Sequence, residues 1–287
     1  MTTVNVRKTI NCSGADVFKF MTLTDYIDFV DLEGLIRHNK HKREIEKHIF
    51  WGRDDISEKT FKDDIHKIWK EGVETVERMK QELKDRIPPI KLKSRKRKLI
   101  RDEEEGEYDP EAHFQGDPCF TQSVREESTG SNNVTVVIGT QAPWNISAID
   151  VFYRAAVGLS LVDILYERGY NVEVWSSLYS RNIDMTRKTT HICCLLKGMD
   201  EALDVQGLSN ALSGWFFRVG AFAAIIAIAR YRNSRHNSNM GRPMIPTRKE
   251  LKSVSVDENM IFIDGFYDLI GAVSCLSHEL HKFKSDA

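Results

Sequence analysis

The sequence predicts an α/β fold: a mostly parallel sheet with one antiparallel strand and helices on both faces, preceded by a helical N-terminal region. Three observations carry this. The apolar run Val134-Thr135-Val136-Val137-Ile138 ends at Gly139-Thr140, as a buried strand does. A long apolar helix follows over about 147–168 and stops at Gly169, and a second strand, 171–176, comes directly after it. A strand, a helix and a strand in that order imply a parallel pair with the helix crossing one face. Such sheets bind ligands at the carboxyl ends of their strands, so the residues that follow the strands are the first candidates for a site.

Residues 1–87 form the expected helical region. Phe18, Phe20, Tyr26, Ile27 and Phe29 give it an aromatic-rich start whose secondary structure the pattern leaves open. From about Ser57, Phe61, Ile65, Ile68, Trp69, Val73, Val76, Met79 and Leu83 recur at three- and four-residue steps, which places them on one helix face, and Pro88-Pro89 ends the helix. That stripe is either a packing face or a dimerisation surface. Residues 88–111 read as a charged linker. Lys91, Lys93, Arg95, Lys96, Arg97, Lys98 and Arg101 are followed at once by Asp102, Glu103, Glu104, Glu105, Glu107 and Asp109. Such a stretch has little to bury. It is an exposed connection whose two halves neutralise each other, or a patch that holds phosphates.

The α/β domain is expected over 112–287. Ser147 caps the long helix with Asp150 three residues on, and Gly169 supplies a left-handed C-terminal cap. The helix is apolar almost all round, which buries it between layers. In strand 171–176, Val172 and Val174 point one way, Glu173 and Trp175 the other. A third strand, 189–196, follows a connection too short for a helix and so runs antiparallel to its predecessor. A helical region from Asp200 to Tyr231, with a break near Gly214, leads to a long polar loop, 232–247. The last strand, 260–263, ends at Asp264-Gly265, and an amphipathic helix closes the chain. The apolar segment 219–229 is too short to cross a bilayer, which takes about 20 residues, and reads as a buried helix.

Composition excludes little. The chain is 41% hydrophobic and 29% charged with a formal net charge of -1, so no global field favours nucleic acid or membrane. Its five cysteines do not form a disulfide framework, and the start lacks a secretion signal, so reduced thiols in a cytoplasm are expected. Gly139-Thr140-Gln141 has neither the glycine spacing of a dinucleotide site nor a P-loop, and there is no Gly-x-Ser-x-Gly elbow. His191, Cys193 and Cys194 split between two strand faces and read as core. No cofactor and no metal ion are expected.

The order strand, helix, strand, antiparallel strand, helix, strand ending in Asp-Gly, helix resembles the von Willebrand factor A-type domain. Ile261-Phe262-Ile263-Asp264-Gly265 looks like that family's later cation-site strand. The family's Asp-x-Ser-x-Ser after the first strand is replaced here by Gly139-Thr140-Gln141-Ala142-Pro143, so the resemblance implies the fold without the complete metal motif. A second resemblance rests on Tyr153-Arg154-Ala155-Ala156-Val157, Leu161-Val162-Asp163-Ile164-Leu165, Glu167-Arg168-Gly169-Tyr170-Asn171-Val172-Glu173-Val174, Trp51-Gly52 and Gly116-Asp117-Pro118-Cys119. These are similar to an uncharacterised family found mainly in phages and prophages. That resemblance implies a viral or mobile-element protein acting in a host cell or carried by a virion.

A well-formed scaffold without catalytic motifs points first to a non-enzymatic module that binds a protein partner. Its surface is expected around Thr140, Gln141, Trp144 and Asn145 beside Asp264, with Trp144 as an anchor. The alternative is weak nucleic-acid association through Lys91 to Arg101, helped by Arg230, Arg232, Arg235 and Arg242. A further alternative is a hydrolase using Asp264 and Asp163, although Asp163 also reads as a helix-face residue paired with a nearby base.

Overall fold

The computed structural model describes residues 7–10, 15–39, 61–65, 67, 69–87, 98–102, 107–108, 120–124, 132–142, 145–181, 183–186, 188–199, 201–202, 204–235, 242–251 and 259–283. Its centre is a seven-stranded sheet built on β6 (Asn133–Gly139). The helix that follows, α5 (Ala148–Glu167), returns the chain so that β7 (Asn171–Arg181) pairs parallel with β6. At its start the Ser147 hydroxyl accepts from the N–H of Asp150 at 3.1 Å. At its end Gly169 takes φ 85°, the left-handed conformation expected of it. On the other side of β6 lies β10 (Met260–Ile263), also parallel. β8 (Thr189–Lys197) runs antiparallel to β7, as the short connection requires.

Beyond β8 the sheet continues with two strands from the N-terminus. β2 (Asp16–Phe20) pairs parallel with β8, and β1 (Arg7–Ile10) pairs antiparallel with β2. The aromatic-rich segment of open type thus splits into a strand carrying Phe18 and Phe20 and a helix, α1 (Leu23–Phe29), carrying Tyr26 and Ile27. α2 (Leu32–Asn39) follows. The single helix expected from about Ser57 to Pro88-Pro89 is, among the described residues, two: a short α3 (Phe61–Asp64) and α4 (Lys70–Arg86). Ser57 lies outside the described residues. Residues of the expected charged linker form strands as well. β3 (Lys98–Asp102) and β4 (Glu107–Tyr108) flank β5 (Phe120–Val124) in a separate three-stranded antiparallel sheet.

One face of the large sheet is continuous and carries most of the helices. At the β6 end, Val134, Val136, Ile138, Val172 and Val174 pack under α4, α5, α6 (Val205–Ala211) and α9 (Leu269–His281). At the β2 end, Phe18, Phe20, Leu178, Ile192 and Cys194 pack under α1, α3, a π-helical turn (Phe216–Ala221) and α7 (Phe222–Tyr231). The opposite face presents Val17, Val137, Trp175, Cys193 and Met260, and Leu251 of the short helix α8 (Arg248–Leu251) packs on it. Cys193 and Cys194 thus point into different layers, as strand alternation dictates. The apolar segment 219–229 is buried within the second cluster, and among the described residues no helix is long and apolar enough to cross a membrane.

Candidate functional site

β6 and β10 are neighbours in parallel register, Ile138 opposite Ile263, so the residues that follow them emerge together at one rim. Gly139 is what allows the approach. A Cβ at that position would lie 2.6 Å from the Asp264 carboxyl group. The Asp264 side chain is only 2% exposed and forms an ion pair with Arg154, which reaches it from the second turn of α5 and is 1% exposed. Gln141 donates its amide to the same carboxylate and to the Met244 carbonyl at 2.9 Å, while its Oε1 accepts from the N–H of Tyr179 at 3.2 Å. The Gly265 N–H donates to Asp264 at 2.8 Å. The Tyr267 ring lies under the Arg154 guanidinium, 4.7 Å from its carbon, and its hydroxyl donates to the Gln141 carbonyl at 3.3 Å. Burial pushes the Asp264 carboxyl above its ordinary value, opposed by Arg154, Gly265 and Gln141.

Thr140 and Asp264 therefore stand at the same rim, where most polar atoms are used inside the protein, although Arg154 Nε and Nη2 are buried with no hydrogen-bond partner among the described residues. Thr140 is buried, and both its N–H and its hydroxyl donate to the Ser177 carbonyl, at 2.9 and 3.2 Å. Gln141 is buried, Asn145 is exposed, and Trp144 lies outside the described residues. Beside Asn145 the rim also exposes apolar side chains. Ile149 at the start of α5 is 43% exposed, Ile245 is 64% exposed and Ile270 at the start of α9 is 82% exposed. Sequence reasoning named neither these nor Arg154, Tyr267 and Met244 as parts of a site. An arginine among Phe152, Ala155, Ala156 and Val157 was a usable signal, because a charge on an otherwise apolar face requires a buried counter-charge.

The rim does not suit a divalent cation. Thr140 and Gln141 bring no carboxylate, and the charge of Asp264 already faces a guanidinium, whereas hard cations take oxygen ligands with carboxylates among them. Among the described residues no group of three or more His, Cys, Asp or Glu side chains converges. Asp163 pairs with Lys80 of α4 at 2.8 Å, the helix-face ion pair expected of it. It lies nine residues beyond Arg154 along α5, about 13 Å at the helical rise, so Asp163 and Asp264 do not share a site.

A second polar cluster sits within the sheet. The Ser177 hydroxyl and His191 Nε2 are 2.8 Å apart, the Tyr179 ring meets His191 edge-on, and Tyr179 donates to Glu250 at 2.5 Å. A serine beside a histidine is a nucleophile arrangement in an open cleft. Here both are sealed in the core, and burial lowers His191 to about 4, so the imidazole is a neutral packing group at neutral pH.

The arginines proposed as helpers for nucleic acid separate into two sets. Arg232 is turned inward and bridges Asp16 at 2.8 Å, Asp184 at 3.0 Å and the Thr190 hydroxyl at 2.9 Å. Arg230 and Arg235 instead join Arg37 of α2 around an open cleft of about 740 Å³ beside the end of α7. Arg242 lies in the short strand β9 (Arg242–Pro243), which pairs with β7, and its side chain is not described. Of the basic run, Lys91, Lys93, Arg95, Lys96 and Arg97 lie outside the described residues, while Lys98 and Arg101 belong to β3.

A family model described as "Domain of unknown function (DUF7192)" matches residues 17–271, from β2 into α9. The chain belongs to that family. No curated protein matches it, and no solved structure does.

Proposed function

We propose that this member of the DUF7192 family is a non-enzymatic module that binds a protein partner at the strand-end rim. The observation that carries the reading is the contrast at that rim. The Asp264 carboxylate is closed on Arg154 and Gln141, while Ile149, Ile245 and Ile270 are left facing solvent. A reactive site keeps a polar group open to its substrate; an interface keeps apolar surface open to its partner. The strand order β8-β7-β6-β10 with β8 reversed supports the von Willebrand-like reading of the scaffold. The resemblance of the α5–β7 segment to phage-encoded chains supports a viral or mobile-element setting, in host cytoplasm or virion.

The test is affinity capture from native or infected-host extract after nuclease treatment, with wild type and with Ile245→Glu/Ile270→Glu. A protein retained by wild type and lost by the double variant supports the rim. Equal retention by both removes it. A second reading, association with nucleic acid, is favoured by the arginine-lined cleft; recovery that disappears with nuclease supports it.

A further inference from the structure

The cleft on the α2–α7 side sits apart from the strand-end rim, and three guanidinium groups reach it from different points of the chain. Arg37 stands on the last turns of α2, Arg230 on the last turn of α7, and Arg235 follows the turn in which Asn233 takes φ 50°. Arg230 forms an ion pair with Asp31 at 2.7 Å, which positions its head against the wall of the cleft. Among the described residues, neither Arg37 nor Arg235 has a carboxylate partner, and both are exposed. Among the described residues, the charges of Arg37 and Arg235 in the cleft are thus not matched by a carboxylate. Ser234 also lines the cleft, but its hydroxyl is turned to Asp184 and the Ala229 carbonyl.

Beyond Arg230 the surface continues into a smaller hollow whose walls include Phe29 and Tyr231 together with Asp28 and Asp31, the latter held by Arg230. Tyr231 is 61% exposed, and its ring rests on the buried Phe18 in an edge-on contact at 5.9 Å, which fixes its position. Cations in a groove with an exposed, braced aromatic ring beside them match the two surfaces of a nucleic-acid strand, charged phosphates and flat bases.

We propose that this groove binds single-stranded nucleic acid, with Arg37, Arg230 and Arg235 on successive phosphates and Tyr231 stacking a base. The proposal rests on the nucleic-acid reading above and locates it in the folded body, not in the basic run. Arg232, adjacent in sequence, takes no part because Asp16 and Asp184 hold it inside.

Anisotropy of labelled single-stranded DNA and RNA oligonucleotides, titrated with the full chain at rising salt, tests it. The expected result is binding at about 50 mM salt that weakens steeply as salt rises. Arg37→Gln/Arg235→Gln, two exposed positions, should bind roughly tenfold more weakly and flatten the log–log salt slope by about 1.4, the loss of two phosphate contacts on a single strand. Tyr231→Ala should weaken binding with the slope unchanged, because stacking releases no counterions. No binding at low salt sinks both the groove and the nucleic-acid reading. Binding that survives the double arginine variant but is lost when Lys91–Arg101 are neutralised overturns the groove and leaves that reading standing. Equal affinity for duplex, indifferent to Tyr231→Ala, overturns the single-strand assignment.

Discussion

At the scale of single residues, Asp264 and Arg154 share one fate. Both are almost fully buried, so each is tolerable only because the other is there. Asp264→Ala leaves a guanidinium buried without a counter-charge and should cost about 3–5 kcal/mol in urea unfolding. Replacing both with apolar residues, Arg154→Met with Asp264→Leu, should recover much of that loss; a double variant less stable than either single one would falsify the pairing as the cause. His191 makes a prediction in pH. Its folded-state value is about 4 against an ordinary 6.5, so between those values the unfolded chain binds a proton that the folded chain refuses. Stability therefore rises with pH across that window. The contribution is complete above 6.5 and is lost as pH falls toward 4, up to about 3 kcal/mol. His191→Gln, which can keep a hydrogen bond to Ser177, should flatten unfolding midpoints measured from pH 7 to 4.5. Asp264 stood out in the sequence because it follows a strand and precedes a glycine. Its partner was hidden, since no periodicity says that a residue in the second turn of one helix meets the end of a strand 110 positions later.

Among elements, the β6–α5–β7 unit was legible because each part has a clean pattern and its own stop: an apolar run ending in glycine, a capped helix, an alternating strand. The helix from Ser57 was not, and the reason lies in where its stripe goes. Phe61 packs with Trp215 and Phe216 in the cluster at the β2 end, whereas Trp69, Val76, Met79 and Leu83 join the cluster at the β6 end. A straight helix cannot serve both, so the chain breaks between α3 and α4 although the apolar spacing runs through the break. β2 was obscure for a different reason. Five residues whose alternation includes Asp16 and Lys19 give little signal until β8 is beside them. Docking of α4 onto α5 depends on Lys80, a buried amine that donates to Glu77 at 2.9 Å and pairs with Asp163 at 2.8 Å. Burial alone would lower its affinity for protons, but the two carboxylates overcome that and raise it. Lys80→Ala should cost about 2 kcal/mol and speed amide exchange in α4 more than in the sheet. Equal acceleration in both would show that the pair does not act locally.

For the whole molecule, the N-terminal residues are integrated into the sheet. β2 extends it beyond β8, and Arg232, at the end of α7, reaches back across 216 positions to Asp16. The same guanidinium holds Asp184, whose carboxyl is kept below its ordinary value by Thr186, Arg232 and Ser234 despite the opposing effect of burial. One side chain thus ties β2, β8, the β7–β8 loop and the end of α7 together. The sequence showed a run of arginines after residue 229 and nothing to say that one of them faces inward, because that depends on carboxylates far away in the chain. Removing such a hub leaves two buried carboxylates without their cation, a loss of about 3–5 kcal/mol for the broken cluster. If β2, α4 and the strand–helix unit form one cooperative body, heat or urea should unfold the chain in a single transition by circular dichroism and tryptophan fluorescence alike. Arg232→Met should move that transition to lower denaturant as a whole, with its slope unchanged. The competing expectation is a helical N-terminal region that folds apart from the sheet. It predicts that Arg232→Met splits the curve, with an early phase for the N-terminal elements and a later one at the wild-type midpoint. A chain beginning at residue 88 discriminates further. It lacks β2 and α4, exposes the β8 edge and the face of α5 that α4 covers, and should fail to give a cooperative transition at any denaturant concentration.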